Sequence, residues 1–161
     1  HPKISAELTD KIMTRLRFDN ETKNKVVTLV KFHDSPIMIN NSVSPDRKRL
    51  KKIMSQIGAD LIFPLIEIKY CDNSAQNPEY YRGNDFYRDT QNIINDILEE
   101  KECFSVKYLA VNGNDLMEIG FKGKEIGEML NTLLNMVINE KIENDYDALL
   151  SYSKGKFTWL C

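Results

Sequence analysis

Apolar residues recur along this chain every three or four positions, the spacing that lines one face of an α-helix. The first such stretch, 2–17, places Ile4, Leu8, Ile12 and Leu16 on one face. The second, about 21–33, follows Asn20 as a cap and turns Val26, Val27, Leu29 and Val30 inward, with His33 at its end. Ser35-Pro36 breaks the pattern, and 36–44 reads as a loop. Ser44-Pro45 is a start signal: a capping hydroxyl, then a residue whose missing N–H is no loss in a first turn. The helix of about 45–57 points Leu50, Ile53, Met54 and Ile57 inward and ends at Gly58. Residues 59–74 are apolar on most sides and predict a buried helix, with Pro64 in an early turn. Asp72 lies near its C-terminal end.

A long helix of about 78–101 with a tyrosine-rich first half comes next, then a connector over 104–111 with room for one short turn. Residues 111–134 place Gly113, Gly120, Gly123 and Gly127 around two short amphipathic runs. The spacing predicts a helix from Asp115, capped by Asn114 and stopped at Gly120. Gly123 and Lys124 open another, whose inward stripe is Ile126, Met129, Leu130, Leu133, Leu134 and Val137. Gly127 falls just off that stripe, inside the helix, where glycine costs about 1 kcal/mol relative to alanine. Its presence there implies the close approach of another backbone, protein or nucleic acid. Asn144, with Asp145 and Asp147 behind it, caps a last helix to about Tyr152, and 154–161 reads as a tail. Nothing alternates with period two for long enough to make a sheet, so the expected fold class is an all-α helical bundle. The expected division is one helical region over 1–75 and a second over 76–161.

A chain of 161 residues, 42% apolar, supports a real core in one domain or one and a half. Net charge is −2, so any grip on a polyanion must come from local basic patches. Cys71, Cys103 and Cys161 are far apart and form no Cys-x-x-Cys pair, which points away from zinc and disulfides and toward a reducing, cytoplasmic setting. No run approaches the roughly 18 apolar residues of a membrane span. The chain begins at His1, without an initiator Met, and is expected to be a piece of a longer protein.

The run G-N-D-L-M-E-I-G, followed by G-K-E-I-G-E-M-L-N-T-L-L-N-M-V, resembles the C-terminal region of bacterial tRNA nucleotidyltransferases, the CCA-adding enzymes and their poly(A) polymerase relatives. Upstream, Leu16-Arg17-Phe18-Asp19-Asn20-Glu21-Thr22, Leu29-Val30-Lys31-Phe32-His33-Asp34, and Asp72 followed by Ala75-Gln76-Asn77 resemble the later half of the HD-type region these enzymes carry. The likeness extends to about Tyr152. It implies an HD-like region, incomplete at its N-terminus, followed by a helical tRNA-binding region. The nucleotidyltransferase head, with its Mg2+ and two-metal chemistry, would lie outside this chain. The implied partners are tRNA and that head, and whether such an enzyme adds CCA, CC, A or a poly(A) tail would be set by the head.

Several constellations could carry chemistry. His1, His33 and Asp72 match, by register, ligands of the HD-type pattern, whose nitrogen and oxygen donors suit a divalent metal. The His-Asp dipeptide that names the region would lie before His1, and His33-Asp34 sits out of order for it. The competing and preferred reading makes His33 and Asp72 buried polar groups that pin helix ends. Arg47, Lys48, Arg49, Lys51 and Lys52 form a basic helix on which Lys48 and Lys52 share a face, as do Arg47 and Lys51. They suit phosphates, or equally an ordinary solvated face. Lys122, Gly123, Lys124 and Gly127 surround a helix N-terminus, an anion-favouring end to which glycines admit a sugar–phosphate backbone. The alternative there is a plain turn and a tight helix crossing. Tyr80, Tyr81, Arg82, Phe86, Tyr87 and Arg88 could stack on bases but more simply pack one helix on another. Asp145-Tyr146-Asp147 has the look of a metal pair, yet two helical residues apart its carboxylates diverge.

The combined expectation is the tRNA-binding C-terminal part of a CCA-adding type of enzyme, with Arg47, Lys48, Lys51, Lys52, Lys122, Gly123, Lys124 and Gly127 as RNA contacts and no catalytic residue in this chain. The runner-up is a metal-dependent phosphohydrolase or 2′,3′-cyclic phosphodiesterase at His1, His33 and Asp72. A third reading is a dimerisation module, from the apolar Phe157 and Trp159, with oligomeric state left open.

Overall fold

The structure is a computed structural model that describes residues 2–38, 44–75 and 82–158. The described residues are helical, with no strand. Two compact units divide the chain, 1–96 and 97–161, with the boundary inside the helix Gly83–Glu99.

In the first unit, α1 (Pro2–Arg15) and α2 (Asn20–Phe32) form a helical hairpin. The chain reverses through Arg17 in a left-handed conformation, φ 59°, and Asp19 caps α2 by accepting from the Thr22 N–H at 2.8 Å. The cap is thus one residue earlier than Asn20. That bond holds the Asp19 carboxyl below its ordinary range. The face of α1 differs from expectation. Ala6 and Met13 are buried, while Ile4 is 72%, Leu8 56% and Leu16 60% exposed. At about 100° per residue the Ile4–Leu16 stripe sits roughly a third of a turn round from Ala6 and Met13. The short Ala6 lets the helices close on that side, and the large residues face outward. The valines of α2 are half-buried, and none is fully enclosed.

The remaining helices of this unit are α3 (Arg47–Ile57), α4 (Ile62–Ala75) and the start of α5 (Gly83–Glu99). Asp46, and not Ser44, caps α3, its carboxylate accepting from Arg49 N–H at 2.8 Å. A second bond, Asp46 N–H to the Ile37 carbonyl at 2.8 Å, ties the preceding loop to this cap. Leu50, Ile53, Met54 and Ile57 are buried as the spacing predicts, and Gly58 at φ 85° ends the helix. Pro64 lies in the first turn of α4, where no helical N–H is lost.

The second unit contains a 3₁₀ turn (Val106–Tyr108), α6 (Gly113–Ile119), α7 (Lys124–Ile138) and α8 (Tyr146–Thr158). Its core gathers Val111, Leu116, Phe121, Met129, Leu133 and Leu149. Asn112 caps α6 two residues upstream of the expected Asn114: its side chain accepts from Asn114 N–H at 2.8 Å, and Asp115 accepts from Asn112 N–H at 2.7 Å. Gly120, φ 120°, ends α6, and its open α-carbon receives the Phe157 ring. The last helix therefore runs through residues expected to be tail. Asp145 caps it by accepting from Ala148 N–H at 3.1 Å, while Asn144 bridges Ala110 N–H and the Tyr108 carbonyl.

Candidate nucleic-acid interface

Each group of sequence-derived candidates has a definite place among the described residues, except those that fall outside them. His1, Tyr80, Tyr81 and Trp159 are outside. The candidates belong to two different units, and each unit's set stands by itself.

At the α7 N-terminus, Gly123 takes φ 54° and ψ −122°, a backbone that side chains rarely adopt. A Cβ built on Gly123 or Gly127 would meet nothing within 4 Å. Gly127 therefore serves no helix crossing inside its unit, and the tight-packing alternative for it fails there. Lys122, Gly123, Lys124 and Gly127 are all exposed. The first-turn amides of a helix have no intrahelical acceptor and favour negative charge. One carboxylate intrudes: Glu125 folds back to accept from Lys122 N–H at 3.2 Å.

The basic helix α3 is split by its packing. Lys48 and Lys52 point to solvent, whereas Lys51 is only 8% exposed. Arg47 lies 3.9 Å from Asp96, a loose ion pair. Burial follows from α3's inward stripe, which brings Lys51 beside Leu50 and Met54.

His33 and Asp72 both approach Lys69, a residue no sequence pattern flagged. Lys69 donates to the His33 carbonyl at 2.5 Å, and the carboxylates of Asp34 and Asp72 favour its charge. Burial nevertheless outweighs them and lowers its pKa to about 8, with Arg82 adding repulsion. The His33 ring is engaged at both nitrogens: Nδ1 lies 2.6 Å from the Val30 carbonyl and Nε2 3.2 Å from Asp34. Asp34, set aside on order alone, is thus the partner that holds His33. Asp72 is exposed. An ammonium amid the carboxylates and a fully engaged imidazole are a poor fit to a metal ion. Among the described residues no group of three histidine, cysteine or carboxylate side chains could hold one.

The aromatic group of α5 packs inward. Phe86 and Tyr87 are buried, Tyr70 meets Tyr87 edge-on at 5.0 Å, and the Tyr87 hydroxyl donates to the Lys69 carbonyl at 3.1 Å. Arg82 lies over Phe86 at 5.4 Å, and Arg88 pairs with Asp85 at 2.9 Å. Phe86 and Tyr87 thus pack one helix on another, which is the simpler of the two readings for these two rings. Asp145 and Asp147 likewise serve the start of α8, with Tyr146 donating to Asp115 at 3.4 Å.

None of the helices among the described residues is long and apolar enough to cross a membrane. No curated protein and no solved structure matches the chain. One family model does, that of tRNA nucleotidyltransferase domain 2, over residues 2–152. That span takes in α1 through most of α8, both units and the glycine-flanked start of α7, and so this chain belongs to the tRNA nucleotidyltransferase family in the region of its second domain.

Proposed function

We propose that this chain is the tRNA-holding helical part of a CCA-adding type of tRNA nucleotidyltransferase, acting in 3′-end maturation and repair, with nucleotidyl transfer performed by a separate head. The observation that carries the reading is the open start of α7, where Gly123 and Gly127 meet no neighbour and Lys122 and Lys124 flank the helix end. Phosphates would be met there by ammonium groups and backbone amides, and the glycines would let the sugar–phosphate chain come close. Lys48 and Lys52, in the other unit, are the remaining lysines of the candidate set that point outward. Mg2+ would belong to the head, and this chain would contribute position and not chemistry.

The test is tRNA binding by the chain across a salt series. Binding should weaken steeply with salt, because each neutralised phosphate releases counterions. Lys122→Ala with Lys124→Ala should reduce the slope of log affinity against log salt by about 2. Absence of binding at low salt, or an unchanged slope in the double variant, would remove the RNA role from this end of α7.

A further inference from the structure

Beyond its N-terminal turn, the outward face of α7 carries a row of carboxamides. Asn131 Nδ2 donates to the Gly127 carbonyl at 2.8 Å, Asn135 Nδ2 to the Asn131 carbonyl at 2.9 Å, and Asn139 Nδ2 to the Asn135 carbonyl at 2.6 Å. Each bond is a step of four residues, about 6 Å along the axis. The acceptor in each case is a carbonyl, which fixes the amide nitrogen inward and the oxygen outward. Each carboxamide thus keeps one N–H and one oxygen for a partner, in a set orientation.

This face lies outside the core of its unit. Gly127 meets no neighbour, and Asn131, Asn135 and Asn139 are exposed. Glycine and asparagine are poor helix formers, so Gly127, Asn131 and Asn135 weaken α7 without packing in return, while Asn139 is its C-cap. A face of short side chains lies flat, and a flat face admits a close approach.

The chemistry of the partner follows from the groups on offer. Paired donors and acceptors without charge suit hydroxyls better than phosphates. In an A-form stem the wide, shallow minor groove presents 2′-hydroxyls, each a donor and an acceptor. Exposed lysines stand at both ends of the row, Lys122 and Lys124 before it and Lys141 after it, where a strand's phosphates would flank the groove. A shallow groove beside the row's C-terminal half is lined by Asn135, Asn139, Lys141 and Tyr152. Glu128 is exposed next to the row; a carboxylate there can accept from a ribose hydroxyl and would repel a phosphate, which would turn the ribose side toward this face.

We propose that Gly127, Asn131, Asn135 and Asn139 form a ribose-reading surface for the minor groove of a double-stranded RNA stem. This rests on the tRNA-binding reading above and assigns a second, uncharged part of the interface.

The experiment compares an RNA hairpin of one helical turn with the same hairpin carrying 2′-deoxyriboses in its stem, by fluorescence anisotropy on the whole chain. Wild type should prefer the ribose hairpin. Asn131→Ala, Asn135→Ala and Asn139→Ala combined should lose about thirtyfold in affinity for it, lose the preference over the deoxy hairpin, and keep the salt slope. Helix content by circular dichroism should hold or rise. Equal binding of the two hairpins by wild type, or full affinity in the triple variant, overturns the proposal. If Lys122→Ala with Lys124→Ala still lowers the salt slope in that case, the tRNA reading stands and only the ribose surface falls. A wild-type dimer in sedimentation that the asparagine changes dissociate would assign the face to a protein helix, and would overturn it too.

Discussion

Replacing Gly120 by alanine tests the packing of the second unit at its tightest point. The added Cβ would lie 2.5 Å from Phe157 Cζ and 3.0 Å and 3.1 Å from the two neighbouring ring carbons. Real Cβ atoms do not approach that closely, so the ring must move. Phe157 also meets Phe121 at 5.2 Å between centroids, and Phe121 is 2% exposed in the core. A shift of the ring therefore disturbs that core. Overpacking of this kind costs about 1–3 kcal/mol, and holding a non-glycine residue at φ 120° costs about as much again. The expected loss is about 3 kcal/mol, or a fall of about 15 °C in the melting midpoint for a unit of this size. Urea and thermal unfolding followed by circular dichroism measure it. Phe157→Ala in the same chain should remove the steric part, so the double variant should be more stable than the sum of the single losses predicts. Strict additivity, or a Gly120→Ala loss below about 0.5 kcal/mol, would refute the reasoning.

Asn112→Ala should destabilise the second unit by about 1 kcal/mol, against a few tenths for Asn114→Ala, since only the former removes the α6 cap; denaturant midpoints decide between them. Lys69 is held near pH 8 in the folded chain against 10.5 unfolded, so the unfolded chain binds more protons between those values and stability should rise with pH across that window. Lys69→Met should flatten the rise, and a slope that persists in the variant would assign it elsewhere. Tyr146 runs the other way: Asp115 raises its pKa, so the stability it contributes is present below pH 10 and lost above it, and Tyr146→Phe should abolish that loss.

The helices were legible because their cores are periodic. In α3 and α7 the apolar residues repeat so regularly that spacing alone identified the buried Leu50, Ile53 and Met54, and Met129, Leu133 and Leu134. Caps were harder to assign. Adjacent polar residues compete for the same orphan amides, and Asp19, Asp46 and Asn112 won over Asn20, Ser44 and Asn114 by reach that no spacing encodes. On α1 the most regular apolar stripe is the exposed one, because the neighbouring helix closes on the smaller Ala6. The end of α8 looked like tail because Lys154-Gly155-Lys156 is polar, yet Phe157 returns to Gly120. At the start of α7, Gly127 stood out from sequence as a costly residue and Gly123 as a helix opening. Lys69 did not, since a lysine within an apolar helix signals nothing until its neighbours from α2 are known. The asparagine row was not read from the sequence; it acquires meaning only once the side chains are seen bonded to the preceding turn.

The contact between Gly120 and Phe157 also constrains how this sequence can drift. The coupling is one-sided: residue 157 can shrink while 120 stays glycine, whereas a side chain at 120 needs the ring gone and is still strained at φ 120°. A library randomised at both should return glycine at 120 wherever 157 is a large ring, and other residues at 120 only beside a small side chain at 157, a coupling across the 36 intervening residues.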